Sequence, residues 1–188
     1  GNQVPGEEGD QAVLLKSEDL AHWERVGPFY QSERRWTEAD EDCAVPDFFP
    51  IGDRHMLLFG SHVLGSQYYL GKLQDDRFYP EFHSRLSWPW GPLAGPSSML
   101  DGQGRRIYFD WIREYRPSER QKSSGWSGVM TLPRVLGLSD DRELRIEPAP
   151  EIAALRMNHR AHKEMRVEPD SELALNDVRG ACLELAVD

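Results

Sequence analysis

The sequence predicts an all-β fold, and three observations predict it. Short apolar runs alternate with clusters of turn residues along most of the chain. Six Trp, six Tyr and seven Phe supply residues that favour strands and can stack on flat ligands, and 16 Gly and 13 Pro supply turns. The runs fall into groups of three or four, each followed by a longer loop. Propeller blades read this way, and a sandwich would read much the same.

The first strand is Ala12-Val13-Leu14-Leu15, followed by the polar turn Ser17-Glu18-Asp19-Leu20 and a return over 22–26 that Gly27-Pro28 ends. A hairpin follows, with strands at 47–51 and 55–60 joined by Gly52-Asp53-Arg54. Further strands are expected at 67–72 and 77–79. Residues 87–98 are a Pro/Gly/Trp-rich stretch, and Asp101-Gly102-Gln103-Gly104 is a turn leading into a strand over 105–112. Residues 113–125 read as a polar loop. Strands resume at 129–132, 134–138 and 143–146. Residues 148–156 read as a short helix opened by proline. The last strand expected is Ala181–Val187, and a strand there calls for a partner from a second β layer.

Composition sets the outer limits. The 188 residues make one ordinary domain, or one and part of a second. A net charge of −10 repels phosphate backbones and argues against a nucleic-acid partner. No apolar run approaches the ~18 residues a membrane helix needs, so no membrane partner is expected. The first ten residues have no basic or apolar region of a signal peptide. Cys43 and Cys182 make no disulfide framework, and compartment stays open.

Five stretches, in order, carry a resemblance. They are Leu15-Lys16-Ser17-Glu18-Asp19-Leu20-Ala21-His22-Trp23-Glu24, then Pro46-Asp47-Phe48-Phe49-Pro50-Ile51-Gly52-Asp53 through Phe59, then Gly104-Arg105-Arg106-Ile107-Tyr108-Phe109-Asp110-Trp111. Gly125-Trp126-Ser127-Gly128 through Leu132-Pro133-Arg134 and Pro148 to Arg156 complete the set. Together they resemble glycoside hydrolase family 32, the invertase, levanase and fructan β-fructosidase group, over residues ~11–156. The resemblance implies later blades of a five-bladed β-propeller, then a linker and the start of a β-sandwich. On this reading residues 1–147 are a partial catalytic-type propeller, 148–158 the linker and 159–188 the start of the sandwich.

The same resemblance implies hydrolysis of terminal fructosyl bonds by a retaining mechanism with no cofactor and no metal. Retaining glycosidases use two carboxyl groups ~5–5.5 Å apart, one attacking the anomeric carbon and one serving as acid and then base. The family's nucleophile sits in an Asn-Asp-Pro motif and its transition-state stabiliser in Arg-Asp-Pro. This sequence has neither motif. The chain is therefore expected to lack the N-terminal blades and to be inactive alone. The acid/base belongs to Glu-Cys-Pro in the family. Here Ala44-Val45-Pro46 stands before Asp47, and the nearest glutamate is Glu41 in Asp40-Glu41-Asp42-Cys43. A short bulge would bring Glu41 to the same place. Glu41 is the candidate acid/base and Asp42 the second choice, with Asp40, Asp42 and Asp47 expected to raise its pKa by convergence. Against that stands a plain solvated acidic loop.

Asp42, Asp47, Trp36, Trp88 and Trp90 are candidate substrate contacts, the aromatics by stacking on sugar faces. The bland readings are a turn cap for Asp47 and core packing for each Trp. Trp126 reads as structural. Gly95-Pro96-Ser97 stands where the family reads Tyr-Ala-Pro. His159 and His162 have no cysteine nearby and make no zinc pattern, and Cys43 has no histidine partner for nucleophilic work. The expected partner is a carbohydrate substrate. Exposed blade edges also invite oligomerisation. The alternative function is a non-catalytic carbohydrate-binding propeller module. An arabinan- or xylan-cleaving propeller enzyme fits the Leu-Pro-Arg and linker motifs less well.

Overall fold

The computed structural model describes residues 9–88, 91, 93–139, 141, 143–180 and 182–186. Residues up to Ala149 form one unit and those from Pro150 a second.

The first unit is built from antiparallel strands. The hairpin β1 (Gln11–Lys16) and β2 (Glu24–Gln31) comes first. Its turn is set by side chains: the Ser17 hydroxyl accepts the Leu20 N–H, and the Asp19 carboxylate accepts the Ala21 and His22 N–H groups. A four-stranded meander follows, made of β3 (Ala44–Ile51), β4 (Arg54–Ser61), β5 (Gly65–Gln74) and β6 (Arg77–Arg85) in that spatial order. Its tight turns are the two-residue Gly52-Asp53 and Asp75-Asp76, the latter with both residues at positive φ as a type I′ hairpin needs.

A second sheet has the order β11-β10-β8-β7. Its strands are β7 (Leu93–Leu100), β8 (Arg106–Ile112), β10 (Arg134–Leu138) and β11 (Leu144–Pro148). The short β9 (Val129–Met130) also pairs with β8.

The apolar run Met56-Leu57-Leu58-Phe59 explains how the sheets pack. Successive side chains on a strand point to opposite faces. Met56 and Leu58 join Phe49, Ile51, Tyr68 and Leu70 in a core closed by Tyr108 and Leu136 of the second sheet. Leu57 and Phe59 point the other way, into a core with Tyr69, Phe78 and Cys43 that Phe29 and Tyr30 of β2 cover. A strand buried on both faces needs no polar alternation, and β4 has none. Each such side chain contributes roughly 1.5–3 kcal/mol through burial.

Three expectations are corrected. No strand is expected in the Pro/Gly/Trp-rich stretch at 87–98, yet Leu93–Leu100 forms β7. Pro96 falls within the register shift between Ala94 and Ser97, where its missing N–H costs no ladder bond. The expected polar loop at 113–125 contains helix α1 (Ser118–Ser124), preceded by Pro117 and closed by Gly125 in the left-handed conformation, its N–H on the Lys122 carbonyl. In the second unit, the short helix is a 3-10 helix over Pro150–Leu155. The strand expected at 181–187 does not form over 182–186, and residues 181 and 187 lie outside the described residues. No strand among the described residues of 150–186 is there to take its backbone groups. That unit is tied instead by a two-pronged Arg156–Glu184 ion pair and by His162–Asp177. No helix among the described residues is long and apolar enough to cross a membrane.

Candidate active site

Glu41 and its flanking Asp40 and Asp42 sit on the segment between β2 and β3, residues 32–43. It has no regular structure, so its backbone groups need other partners. Asp10, fully buried just before β1, provides several. Its carbonyl accepts the Ser32 N–H at 3.0 Å, and its Oδ2 accepts the hydroxyls of Thr37 at 2.6 Å, Tyr69 at 3.0 Å and Tyr30 at 3.4 Å. The Gly9 carbonyl accepts the Cys43 N–H at 3.2 Å. A Cβ on Gly9 would stand 3.1 Å from the Glu41 carbonyl oxygen, a tight approach that would press on this backbone. Within the segment, the Arg34 guanidinium donates to the carbonyls of Glu38 and Glu41.

Glu41 ends this path fully buried. Arg85, the last residue of β6, grips it two-pronged, with Nη2 on Oε1 at 2.8 Å and Nη1 on Oε2 at 2.9 Å. Gln67 Nε2 donates to Oε2 at 3.0 Å, and the Glu38 N–H donates to Oε1 at 3.0 Å. Gln67 Oε1 in turn takes Arg85 Nη1 at 2.9 Å and His83 Nε2 at 2.7 Å. Strand pairing makes the cluster: Gln67 lies opposite Arg85, and Tyr69 opposite His83. Trp36 stacks on His83, with ring centres 6.3 Å apart, and leans on Tyr69. The Arg35 guanidinium also lies over the Trp36 ring, 4.6 Å from its centre.

The electrostatics run opposite to the expectation. Burial alone would raise the Glu41 carboxyl, but the hydrogen bonds and charge of Arg85, with the Glu38 N–H and Gln67, outweigh it and hold the pKa at about 2. The flanking aspartates do not converge on Glu41 to raise it. Asp42 accepts the His62 N–H at 2.9 Å and meets His62 Nδ1 at 2.7 Å. Asp47 Oδ2 accepts the Ser98 N–H at 2.7 Å and its hydroxyl at 2.6 Å, tying β3 to β7. Burial, then the Arg85 charge, pushes His83 down to about 4, so near neutral pH it is an uncharged imidazole whose Nε2–H points at Gln67.

The chain does bulge before Asp47: Ala44 faces Gly60 and Asp47 faces Leu58, leaving Val45-Pro46 outside the ladder. Trp36 is half-buried in the cluster just described, whereas Trp88 is 86% exposed. Trp90 lies outside the described residues. Trp126 is about half-exposed under the Arg116 guanidinium. Cys43 is buried and its thiol is pushed far up by burial and by Asp10. His159 and His162 are exposed. Sequence reasoning missed Asp10, Gln67, His83 and Arg85. For Gln67 the available signal was a polar residue two before Tyr69 at the head of an expected strand; His83 and Arg85 lie beyond the strand expected at 77–79, and the sequence offered no signal for them.

A profile of the glycosyl hydrolases family 32 N-terminal domain matches residues 2–148. The chain is 29% identical to a fructan 1-exohydrolase of Triticum urartu over 195 residues, covering 89% of this chain and 31% of that protein. It is 27% identical to the β-fructofuranosidase insoluble isoenzyme 4 of Oryza sativa subsp. japonica, covering 84% of this chain and 30% of that one. The crystal structure of fructan 1-exohydrolase IIa from Cichorium intybus superposes with a TM-score of 0.65 at 23% identity, over 79% of this chain and 32% of that chain. A family 32 β-fructofuranosidase of Bombyx mori gives 0.65 at 22% identity, over 79% and 34%. The chain thus spans about a third of the length of the relatives it matches. The likeness in fold makes the antiparallel sheets of the first unit a partial β-propeller.

Proposed function

The chain belongs to glycosyl hydrolase family 32, and on that footing we propose that the complete protein is a β-fructofuranosidase-type glycosidase. It releases terminal fructosyl units from sucrose, levan or inulin with retention of configuration. The observation that carries the reading is the family match over residues 2–148. Solved relatives support a sugar substrate: variants of the Cichorium intybus and Bombyx mori enzymes were crystallised with 1-kestose and sucrose. Residues 1–147 are proposed as propeller, 148–158 as linker and 159–188 as the start of a sandwich.

Glu41 is the proposed acid/base. In the first step a carboxylate nucleophile, which the resemblance places upstream, bonds to the anomeric carbon. The C–O bond breaks, its electron pair goes to the leaving oxygen, and that oxygen takes the Glu41 proton. In the second step the Glu41 carboxylate takes a proton from water as the water displaces the enzyme carboxylate. Asp42, Asp47, Trp36, Trp88 and Trp90 are proposed as substrate contacts on the resemblance alone.

The test is sugar release from sucrose, levan and inulin by the complete protein and by its Glu41→Gln variant. The expected loss is roughly 10²–10⁴-fold, the usual worth of a positioned acid or base. A second reading has one observation in its favour: the Glu41 carboxylate is buried with four donors on it. A complete protein that binds fructan and never cleaves it would establish a carbohydrate-binding module instead.

A further inference from the structure

The proton that Glu41 must carry conflicts with the way the protein holds Glu41. On the acid/base reading above, which this inference rests on, the carboxyl enters the first step protonated. A protonated carboxyl has to donate. Yet each oxygen already faces two donors: Arg85 Nη2 and the Glu38 N–H on Oε1, Arg85 Nη1 and Gln67 Nε2 on Oε2. A hydrogen placed on either oxygen would meet another hydrogen.

The four contacts differ in how readily they can be given up. The Glu38 N–H belongs to the backbone of a segment pinned through Thr37 to Asp10. Gln67 is fully buried, its carbonyl oxygen held by His83 and Arg85. Arg85 is the long side chain at the end of a strand, 19% exposed, and it supplies two of the four contacts. Among the described residues, the charged and titratable groups around Glu41 are few. From β6 come Arg85 and His83, and from its own segment Arg34, on the Glu41 carbonyl, and Glu38. Asp42 is engaged with His62, and Asp10, just before β1, bonds to hydroxyls.

We propose that Arg85 is the positioning residue of this site: its fork seats Glu41 as a carboxylate, and it must swing off before Glu41 can donate to the leaving oxygen. Arg85 then decides when Glu41 works as an acid, and it touches the reacting atoms only through Glu41. A two-pronged guanidinium is hard to replace here, since a lysine offers one point of charge where two oxygens need filling.

The test is the pH profile of kcat/KM on sucrose, measured on the complete protein and its Arg85→Lys and Arg85→Gln variants. A free acid is needed protonated, so its pKa sets the alkaline limb. Arg85→Gln is expected to move that limb up by about 1–3 pH units, and Arg85→Lys by less in the same direction. Should Arg85→Gln fail to fold, Arg85→Lys carries the test. Carboxyl carbon NMR of Glu41 gives a readout independent of turnover, and its titration midpoint should rise in the same variants. A midpoint and an alkaline limb that stay in place overturn the role of Arg85. Full turnover by Glu41→Gln breaks the acid/base reading itself, so the two failures are distinguishable.

Discussion

The sheets β3–β6 and β7–β11 share an antiparallel meander and differ in what covers them. The first is covered on both faces, by the β1–β2 hairpin on one side and by the second sheet on the other. Its central strand β4 is buried from Met56 to Ser61. The second sheet gives Tyr108 and Leu136 to the shared core, yet Met99, Leu100, Trp111 and Met130 are exposed. The difference shows in the residues each sheet can carry. Against the doubly covered sheet lies an ion pair, Glu41–Arg85, whose carboxylate is fully buried with both oxygens donated to. The second buries a lone carboxyl, Asp110, served by the Tyr108 hydroxyl at 2.5 Å and the Trp111 N–H at 2.8 Å.

The largest expected effect tests the doubly covered sheet. Phe59 is fully buried and stacks on Tyr69 with ring centres 4.9 Å apart. Phe59→Ala should cost about 3–5 kcal/mol, through lost transfer energy and the cavity left behind. Urea unfolding followed by Trp fluorescence measures it. A cost under about 1 kcal/mol would mean that the hairpin does not cover this face in solution, and the contrast between the sheets would fall.

The next effect sharpens the contrast through pH. Glu41 is lowered from an ordinary 4.5 to about 2, so its contribution is complete above pH 4.5 and lost as pH falls through 2. His83 is lowered from 6.5 to about 4 and resists charging, so its contribution is complete above 6.5 and lost as pH falls to 4. Both make the first sheet weaker in acid, by on the order of 2–3 kcal/mol for Glu41. Asp110 works the other way. Burial raises its carboxyl, so the folded state holds a proton more tightly than the unfolded one and acid favours folding there. Asp110→Asn removes the opposing contribution. The fall in stability on acidification should therefore be steeper in Asp110→Asn than in the parent, measured as unfolding midpoints across the range. A shallower fall would reverse the sign assigned to Asp110.

The same contrast explains what the sequence made legible. Met56-Leu57-Leu58-Phe59 could be read as a buried strand because both faces are apolar, and the Ser17–Leu20 turn because its bonds are local. Strand β7 was hidden by Gly95 and Pro96, which break strand periodicity and sit together in a bulge. Helix α1 has no buried residue, so it has no apolar stripe to detect, although Pro117 and Gly125 mark its ends. Glu41 could be named from its neighbours in sequence. Arg85 could not, since it is 44 positions away and only the β5–β6 pairing brings it there. That is also why the pKa expectation had the wrong sign: the nearby aspartates were visible and the distant guanidinium was not.

The smallest expected effect lies on the open face of the second sheet. Met99 lies on β7 opposite Ile107 and is 57% exposed, with no place in either core. Met99→Ala removes little burial and leaves no cavity, so the cost should stay within about 0.5 kcal/mol. The same urea titration measures it against Phe59→Ala. A cost near that of a core residue would mean that something covers this face in solution. The second sheet would then be doubly covered as the first is, and its exposed Met99, Trp111 and Met130 would count as interface rather than surface.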